Sequence, residues 1–378
     1  MRYLIVTHEY EPIVSGGVSL VRHLSIQLAR LGHEVIVLAP KLPGTEKVSS
    51  PEAGVEVVFV ETFRKSLGNA GIIDLVGFGL LVIPSLIKNV RQRQVDAVLS
   101  IFLVPAGFSS MVASALTGVR HVTFIGGADL PDVSSKNQGV LGWLKGILRM
   151  IVRISDAVLV AEGLEEFARP IAGNSPMTTV RNGADLSSIV PRERFSTERS
   201  PIKLLTVGRL IERKGSLHLV QALAEMAPEQ RKLFHLTIVG YGPIEEKLKH
   251  EIQKHGLSEI VILAGQVAPT DLAEYFHAAD AYVFYAAPEG NSLAMVEAMA
   301  HGLPVLTSDV SGNRELVDGN GMTVPFDNVA ALGEALIALC KARPDFLQWG
   351  SRSRELSRRY DWKEIAKVYE RALANPER

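Results

Sequence analysis

Residues 281–307 read AYVFYAAPEGNSLAMVEAMAHGLPVLT. The run Ala281–Tyr285 is short, uncharged and aromatic, the make-up of a buried strand. Asn291 or Ser292 offers a helix N-cap, Gly302 stands where a helix takes its C′ residue, and Pro304 forbids continuation. A helix from about Leu293 to His301 therefore separates two strands, Ala281–Tyr285 and Val305–Thr307. Strand, helix and strand in succession predict a βαβ unit, whose two strands run parallel.

The same alternation extends in both directions. Upstream, Lys203–Val207, Leu236–Val239 and Ile260–Leu263 read as strands separated by helical patterns. Near the amino terminus, Arg2–Val6, Glu34–Leu38, Val55–Val60, Ala97–Ile101, His121–Ile125 and Ala157–Val160 form a second such series, with helices such as Val18–Leu31 and Ala106–Leu116 between them. Strands that are apolar throughout belong to a sheet covered on both faces. The expected fold class is α/β, with two Rossmann-like doubly wound parallel-sheet domains facing a central cleft. The polar, proline-flanked stretch 191–201 reads as a linker, giving domains 1–190 and 202–358; 378 residues suit two domains of roughly 150 each.

Composition narrows the function classes. Hydrophobic residues make up 47% and charged residues 21%, a globular balance. Forty Lys and Arg stand against 41 Asp and Glu, split 17 to 16 through residue 190 and 23 to 25 after it. Neither half has the basic excess of a nucleic-acid binder. The single cysteine, Cys340, excludes an intrachain disulfide and a cysteine-rich zinc site, and a reducing, cytoplasmic setting is expected. After Met1 the first apolar run is only Leu4–Val6, too short for a secretory signal. The uncharged apolar run between Asp74 and Lys88 has 13 residues against the roughly 20 of a membrane span, so a buried core helix is expected there.

Two constellations carry chemistry. The helix beginning near Leu293 presents free N–H groups and a positive dipole end. Glu297 lies four residues after Leu293 and three before Ala300, within the apolar stripe, where a carboxylate needs hydrogen-bond donors such as vicinal hydroxyls. Glu289 precedes the helix on the loop at the strand end. In the second constellation, Gly208-Arg209 and Lys214-Gly215 follow the strand Lys203–Val207, with Ser216 as the expected helix cap. Fixed cations and open glycine backbone at a strand's carboxyl end suit a diphosphate. Gly240-Tyr241-Gly242-Pro243 lacks the third glycine of a dinucleotide fingerprint and equally suits a tight turn. Ser15-Gly16-Gly17 opens a helix, where either a turn or an approaching phosphate would use glycine.

Taken together these residues resemble the retaining nucleotide-sugar glycosyltransferases of family 4, which have the GT-B fold. The resemblance runs from Gly16-Gly17 through Arg181–Asp185, Val207-Gly208-Arg209, Lys214-Gly215, Gly240-Tyr241-Gly242, Glu289 and Glu297, Pro304-Val305, and Gly312 with Glu315. Tyr360-Asp361-Trp362 is similar to the start of the family's last helix, which implies that residues 359–378 return to the first domain. By resemblance, the first domain binds the acceptor and the second the donor. Arg209 and Lys214 would hold the donor diphosphate, Glu297 the ribose hydroxyls, and Glu289 the transferred sugar, helped by backbone N–H groups of Gly290, Asn291, Ser292 and Leu293. Gly16 and Gly17 would sit near the distal phosphate and acceptor, and the base near Tyr241 or Gln266.

Two departures stand out. Asn291-Ser292 replace a common Phe-Gly pair, and Gly126-Gly127-Ala128-Asp129 stand where many members carry a histidine, a role Asp129 is expected to share. His8 and His121 are read as packed residues. The implied reaction moves a sugar from a UDP- or GDP-linked donor to a hydroxyl of a glycan or lipid-linked acceptor, as in cell-surface polysaccharide, lipopolysaccharide or glycolipid biosynthesis. No metal and no cofactor are expected, the nucleotide sugar being a substrate. Front-face substitution and double displacement through Glu289 or Asp129 both stay open. Within 140–154, Lys145, Arg149 and Arg153 form a basic stripe beside Trp143, Leu144, Ile147, Leu148 and Ile151, suiting either a core helix or peripheral contact with the inner face of a membrane. A same-fold epimerase or phosphorylase and a non-catalytic binding subunit are the competing readings.

Overall fold

The computed structural model describes residues 1–13, 15–48, 50–64, 70–130, 138–186, 189–190, 201–268, 271–288 and 292–374. The chain divides into two units, Met1–Gly183 with Trp362–Arg378, and Ala184–Asp361.

The first unit runs β1 (Arg2–Val6), α1 (Gly16–Arg30), β2 (Glu34–Pro40), β3 (Val55–Val60), α2 (Ile72–Arg93), β4 (Ala97–Ile101), α3 (Phe108–Thr117), β5 (Arg120–Ile125), α4 (Gln138–Ile154), β6 (Ala157–Ala161), α5 (Glu165–Ala172) and β7 (Thr178–Val180). Its seven-stranded parallel sheet has the order β3-β2-β1-β4-β5-β6-β7. The second unit runs β8 (Ile202–Val207), α6 (Ser216–Glu225), α7 (Pro228–Arg231), β9 (Phe234–Val239), α8 (Glu245–Lys254), β10 (Val261–Gly265), α9 (Leu272–Ala278), β11 (Ala281–Phe284), α10 (Leu293–Ala300), β12 (Val305–Ser308), β13 (Gly321–Val324), α11 (Val329–Lys341) and α12 (Phe346–Ser357). Its six-stranded sheet has the order β10-β9-β8-β11-β12-β13, again all parallel. The last helix, α13 (Trp362–Ala374), belongs to the first unit.

Both orders are doubly wound, with helices on both faces because each parallel connection must cross over the sheet. Tyr3, Ile5, Val35, Val37, Leu99 and Val122 point to one face of the first sheet, toward a core that α13 completes with Trp362, Ile365, Tyr369 and Leu373. Alternate residues Leu4, Val6, Ile36 and Leu38 meet α2 on the other face. The corresponding cores of the second unit are built around Leu204, Leu236 and Val283 on one face and Leu205, Tyr282 and Val305 on the other.

Three details differ from the sequence expectations. The division falls at Gly183, ahead of residue 190, because Ala184 N–H donates to the Tyr360 carbonyl at 2.8 Å and Ala184 pairs with Asp361. The return to the first unit begins at Trp362, whose ring lies against Gly183 so closely that a Cβ there would fall 2.3 Å from it. The expected linker, 191–201, falls outside the described residues but for Pro201. Finally, α2 has 22 residues and by length and composition alone suffices to cross a membrane. Only one face of it fits the expectation of a core helix: Phe78, Val82 and Leu86 are buried, while Ile72, Ile73, Val76 and Leu80 are exposed.

Glycine governs the loop ends of the second sheet. Gly240 has φ 140°, and a Cβ on it would stand 1.9 Å from the Gly208 carbonyl oxygen. Backbone cannot yield to that contact as a side chain can. Gly240→Ala is expected to lower stability by about 3 kcal/mol or more, read as an earlier denaturant midpoint, whereas Gly256→Ala, with open space around it, is expected to cost only about 1 kcal/mol for its positive φ.

Candidate active site

In an open parallel sheet the ligand edge lies at the carboxyl ends of the strands, at the point where the strand order reverses. In the second unit that point lies between β8 and β11. Gly208 and exposed Arg209 leave β8 there. Their path is fixed by backbone: Gly208 N–H donates to Val239 O at 3.0 Å, Leu210 N–H to Tyr241 O at 2.9 Å, and Ile244 N–H to Leu210 O at 3.2 Å. Gly242 permits this, since a Cβ on it would lie 2.3 Å from Leu210 O. The two glycines of Gly240-Tyr241-Gly242 thus serve close packing of neighbouring loops. Tyr241 keeps its side chain half exposed, and Gln266 is exposed after β10.

The turn Glu212–Lys214 then carries Lys214, whose ammonium stands 5.0 Å over the ring of Phe284 on β11. Ala287 N–H donates to Arg213 O at 2.8 Å, and the Arg213 guanidinium donates to Pro288 O. This turn therefore holds the segment after β11 that leads toward Glu289. Glu289, Gly290 and Asn291 themselves lie outside the described residues. Gly215, in a left-handed conformation with φ 72°, is the N-cap of α6, and Ser216 is its first helical residue. The expectation of Ser216 as cap is corrected, because the sharp entry into α6 requires positive φ at the cap itself.

Ser292 caps α10 as expected, its hydroxyl accepting from Met295 N–H at 3.4 Å. Leu293, Ala294 and Glu297 share the less buried face of α10, while Met295, Val296, Ala298 and Met299 pack inward. Among the described residues nothing hydrogen-bonds the Glu297 carboxyl. Desolvation pushes its pKa up to about 7. Arg209, Lys214 and Glu297 thus all belong to segments that leave the ends of two adjacent strands, β8 and β11.

In the first unit the strand order reverses between β1 and β4. Ser15 caps α1: its hydroxyl accepts from Val18 N–H at 3.2 Å and donates to Glu9 Oε2 at 2.7 Å. The helix that opens with Gly16 and Gly17 therefore already faces a carboxylate. Gly16 is exposed with open space around it, whereas a Cβ on Gly17 would meet the Phe102 ring at 3.1 Å. Phe102 has φ 72°, unusual for a bulky residue. Its ring stands edge-on to His8, 5.6 Å between centroids. A Cβ at Gly126 would lie 2.6 Å from that ring, so Phe102 fills the space a histidine at 126 would need. His121 is fully buried, its Nε2 2.9 Å from the Ser100 hydroxyl, and burial pushes its pKa down to about 4, as a packed histidine requires.

Asp129 is 2% exposed. Its Oδ1 accepts from Leu103 N–H at 2.8 Å and its Oδ2 from Gly126 N–H at 3.0 Å. Both oxygens are spent tying the loop after β4 to the loop after β5, which corrects its expected place among catalytic groups: it positions loops. Burial outweighs those bonds and raises its pKa to about 7. Phe102 and Glu9 escaped the sequence reading because neither a positive φ nor a carboxylate turned toward a helix end leaves a spacing signal. Among the described residues no group of three or more His, Cys, Asp or Glu is placed to hold a metal ion.

Between pH 4 and pH 7 folded Asp129 keeps a proton that the unfolded chain has released, so this residue makes stability fall as pH rises through that window. Asp129→Asn is expected to remove that slope, and Asp129→Ala to cost about 2 kcal/mol or more by orphaning two buried amides; urea titrations at pH 4.5 to 7.5 check both.

The glycosyltransferase family 4 model matches residues 14–188, and the glycosyl transferases group 1 model matches residues 191–356. A glycogen synthase of Mycobacterium tuberculosis is 29% identical over 97% of this chain and 92% of its own length. A phosphatidyl-myo-inositol mannosyltransferase of Mycolicibacterium smegmatis is 29% identical over 94% of this chain and 90% of its own. The crystal structure of Anabaena HepE in complex with UDP-glucose superposes with a TM-score of 0.74 at 18% identity, covering 99% of this chain and 100% of that one. With two doubly wound units and both halves matched, the chain is a glycosyltransferase of the family 4 type with the GT-B fold.

Proposed function

We propose that the protein moves a sugar from a nucleoside-diphosphate sugar, UDP- or GDP-linked, to a hydroxyl of a glycan or lipid-linked acceptor, with retention of anomeric configuration. The observation that carries this is the convergence of Arg209, Lys214 and Glu297 on segments leaving β8 and β11. Arg209 and Lys214 neutralise the departing diphosphate, so fixed cations take the part a metal ion plays elsewhere. Glu297, lacking a described partner, accepts from the two ribose hydroxyls. Glu289, with the amides of Gly290 to Leu293, contacts the transferred sugar, and the base lies near Tyr241 or Gln266. Gly16 and Gly17, beside the Glu9 carboxylate, suit an acceptor rich in hydroxyls. The names of the relatives, a glycogen synthase and a phosphatidyl-myo-inositol mannosyltransferase, support polysaccharide or glycolipid biosynthesis.

Turnover of labelled nucleotide sugars with oligosaccharide and lipid-linked acceptors tests this. Arg209→Ala and Lys214→Ala are each expected to lower turnover about a hundredfold or more, with EDTA without effect and the donor's anomeric configuration kept in the product. Glu297→Ala is expected to weaken nucleoside-diphosphate binding roughly tenfold. Turnover within twofold of wild type in both cation variants would overturn the leaving-group assignment.

We further propose peripheral membrane contact through α4. Lys145, Arg149 and Arg153 are exposed on it together with Ile147, Met150 and Ile154, while Leu148, Ile151 and Val152 are buried. Cosedimentation with vesicles rich in anionic lipid is expected to drop severalfold when the three basic residues become Ala; equal binding of the triple variant would refute the contact.

A further inference from the structure

Ser216 is 4% exposed, and among the described residues its hydroxyl has no hydrogen-bond partner. A buried hydroxyl left unpaired is a net cost to folding. It stands on the first residue of α6, behind the N-cap Gly215, which has no side chain to satisfy the helix end. The first amide of α6 with a backbone partner is that of Leu219, which donates to Gly215 O at 3.1 Å. The amides of Ser216, Leu217 and His218 have none among the described residues. The helix end therefore presents a donor-rich, electropositive surface.

Ser216 lines one small recess with Gly208, Arg209 and Lys214, the rest of whose wall is largely apolar and includes Phe284. The recess measures about 10 Å³, room for one oxygen atom and no more. A single phosphoryl oxygen reaching in would accept the Ser216 O–H, with the rest of its phosphate outside against the exposed Arg209 guanidinium. The nearby acidic side chain, Glu212, is engaged elsewhere, 3.0 Å from the Lys247 ammonium.

We propose that the Ser216 hydroxyl is a binding group for the donor's diphosphate, supplying a hydrogen bond alongside the two cations; this rests on the donor reading above. The folded protein keeps the hydroxyl unpaired because its partner arrives with the ligand.

The test compares wild type, Ser216→Ala and Ser216→Cys, the last keeping the shape while losing most of the donor strength. Calorimetry gives the Kd for UDP, GDP and ADP and for the parent nucleosides, and thermal melting is recorded without ligand. For the diphosphate that wild type binds, both variants are expected to raise Kd about tenfold, with nucleoside affinity unchanged. The ligand-free melting temperature is expected to stay level or rise, since an unpaired buried hydroxyl has been removed. A diphosphate Kd within twofold of wild type in both variants would overturn the Ser216 assignment alone. A drop of several degrees in melting temperature, with nucleoside and diphosphate affinities falling together, would assign the hydroxyl to folding instead. Wild type binding none of the three diphosphates would overturn the donor reading, and this proposal with it.

Discussion

A Cβ on residue 215 would lie 1.5 Å from the carbonyl oxygen of Tyr285. The α6 entrance is thus pressed backbone to backbone against the end of β11, and only glycine fits. Gly240 and Gly242 repeat the device one strand over, against Gly208 and Leu210. Everything chemical in the second unit depends on these contacts. They place Arg209 and Lys214 by main chain, leaving their long side chains to supply charge and reach. In the proposed reaction, cations held this way would need little rearrangement on the arrival of a diphosphate, which would give them their electrostatic leverage.

The first unit solves the same problem of fixing loops at a strand edge with different chemistry. Where the second unit uses glycine against carbonyl, the first uses a buried carboxyl, Asp129, bridging the amides of Leu103 and Gly126. The ring of Phe102 then fills the space between Gly17 and Gly126. One unit presents cations and a glutamate without a partner among the described residues; the other presents an aromatic ring and the Glu9 carboxylate. On the proposed function, this division gives the charged donor to the second unit and the hydroxyl-rich acceptor to the first.

Much of this was legible in the residues. The strands of both series declare themselves because a strand buried on both faces must be apolar throughout. The two that escaped notice, Thr178–Val180 and Gly321–Val324, are short sheet-edge strands with exposed residues, so their composition resembles that of loops. The α10 caps and the glutamate on that helix were readable for a local reason: cap chemistry and helical spacing involve neighbours in sequence. Asp129 was misjudged because its partners are amides 26 residues away at Leu103 as well as nearby at Gly126. A carboxylate's neighbours, unlike its spacing, are settled by tertiary structure. Ser216 illustrates the same limit at shorter range. Serine before a helix is most often a cap, yet the left-handed turn at Gly215 shifts the helix start by one residue and leaves the hydroxyl without a cap bond to make.

The chain enters the second unit at Ala184 and leaves it at Asp361, two residues that pair with each other. Trp362, Ile365, Tyr369 and Leu373 then close the core of a unit begun at Met1. During synthesis the amino-terminal sheet must therefore wait, one apolar surface uncovered, while the whole intervening unit emerges and folds. The final helix acts as a completion signal: a polypeptide truncated anywhere before it carries an unfinished first unit, and ribosomal stalling or premature termination exposes a large greasy face to chaperones and proteases.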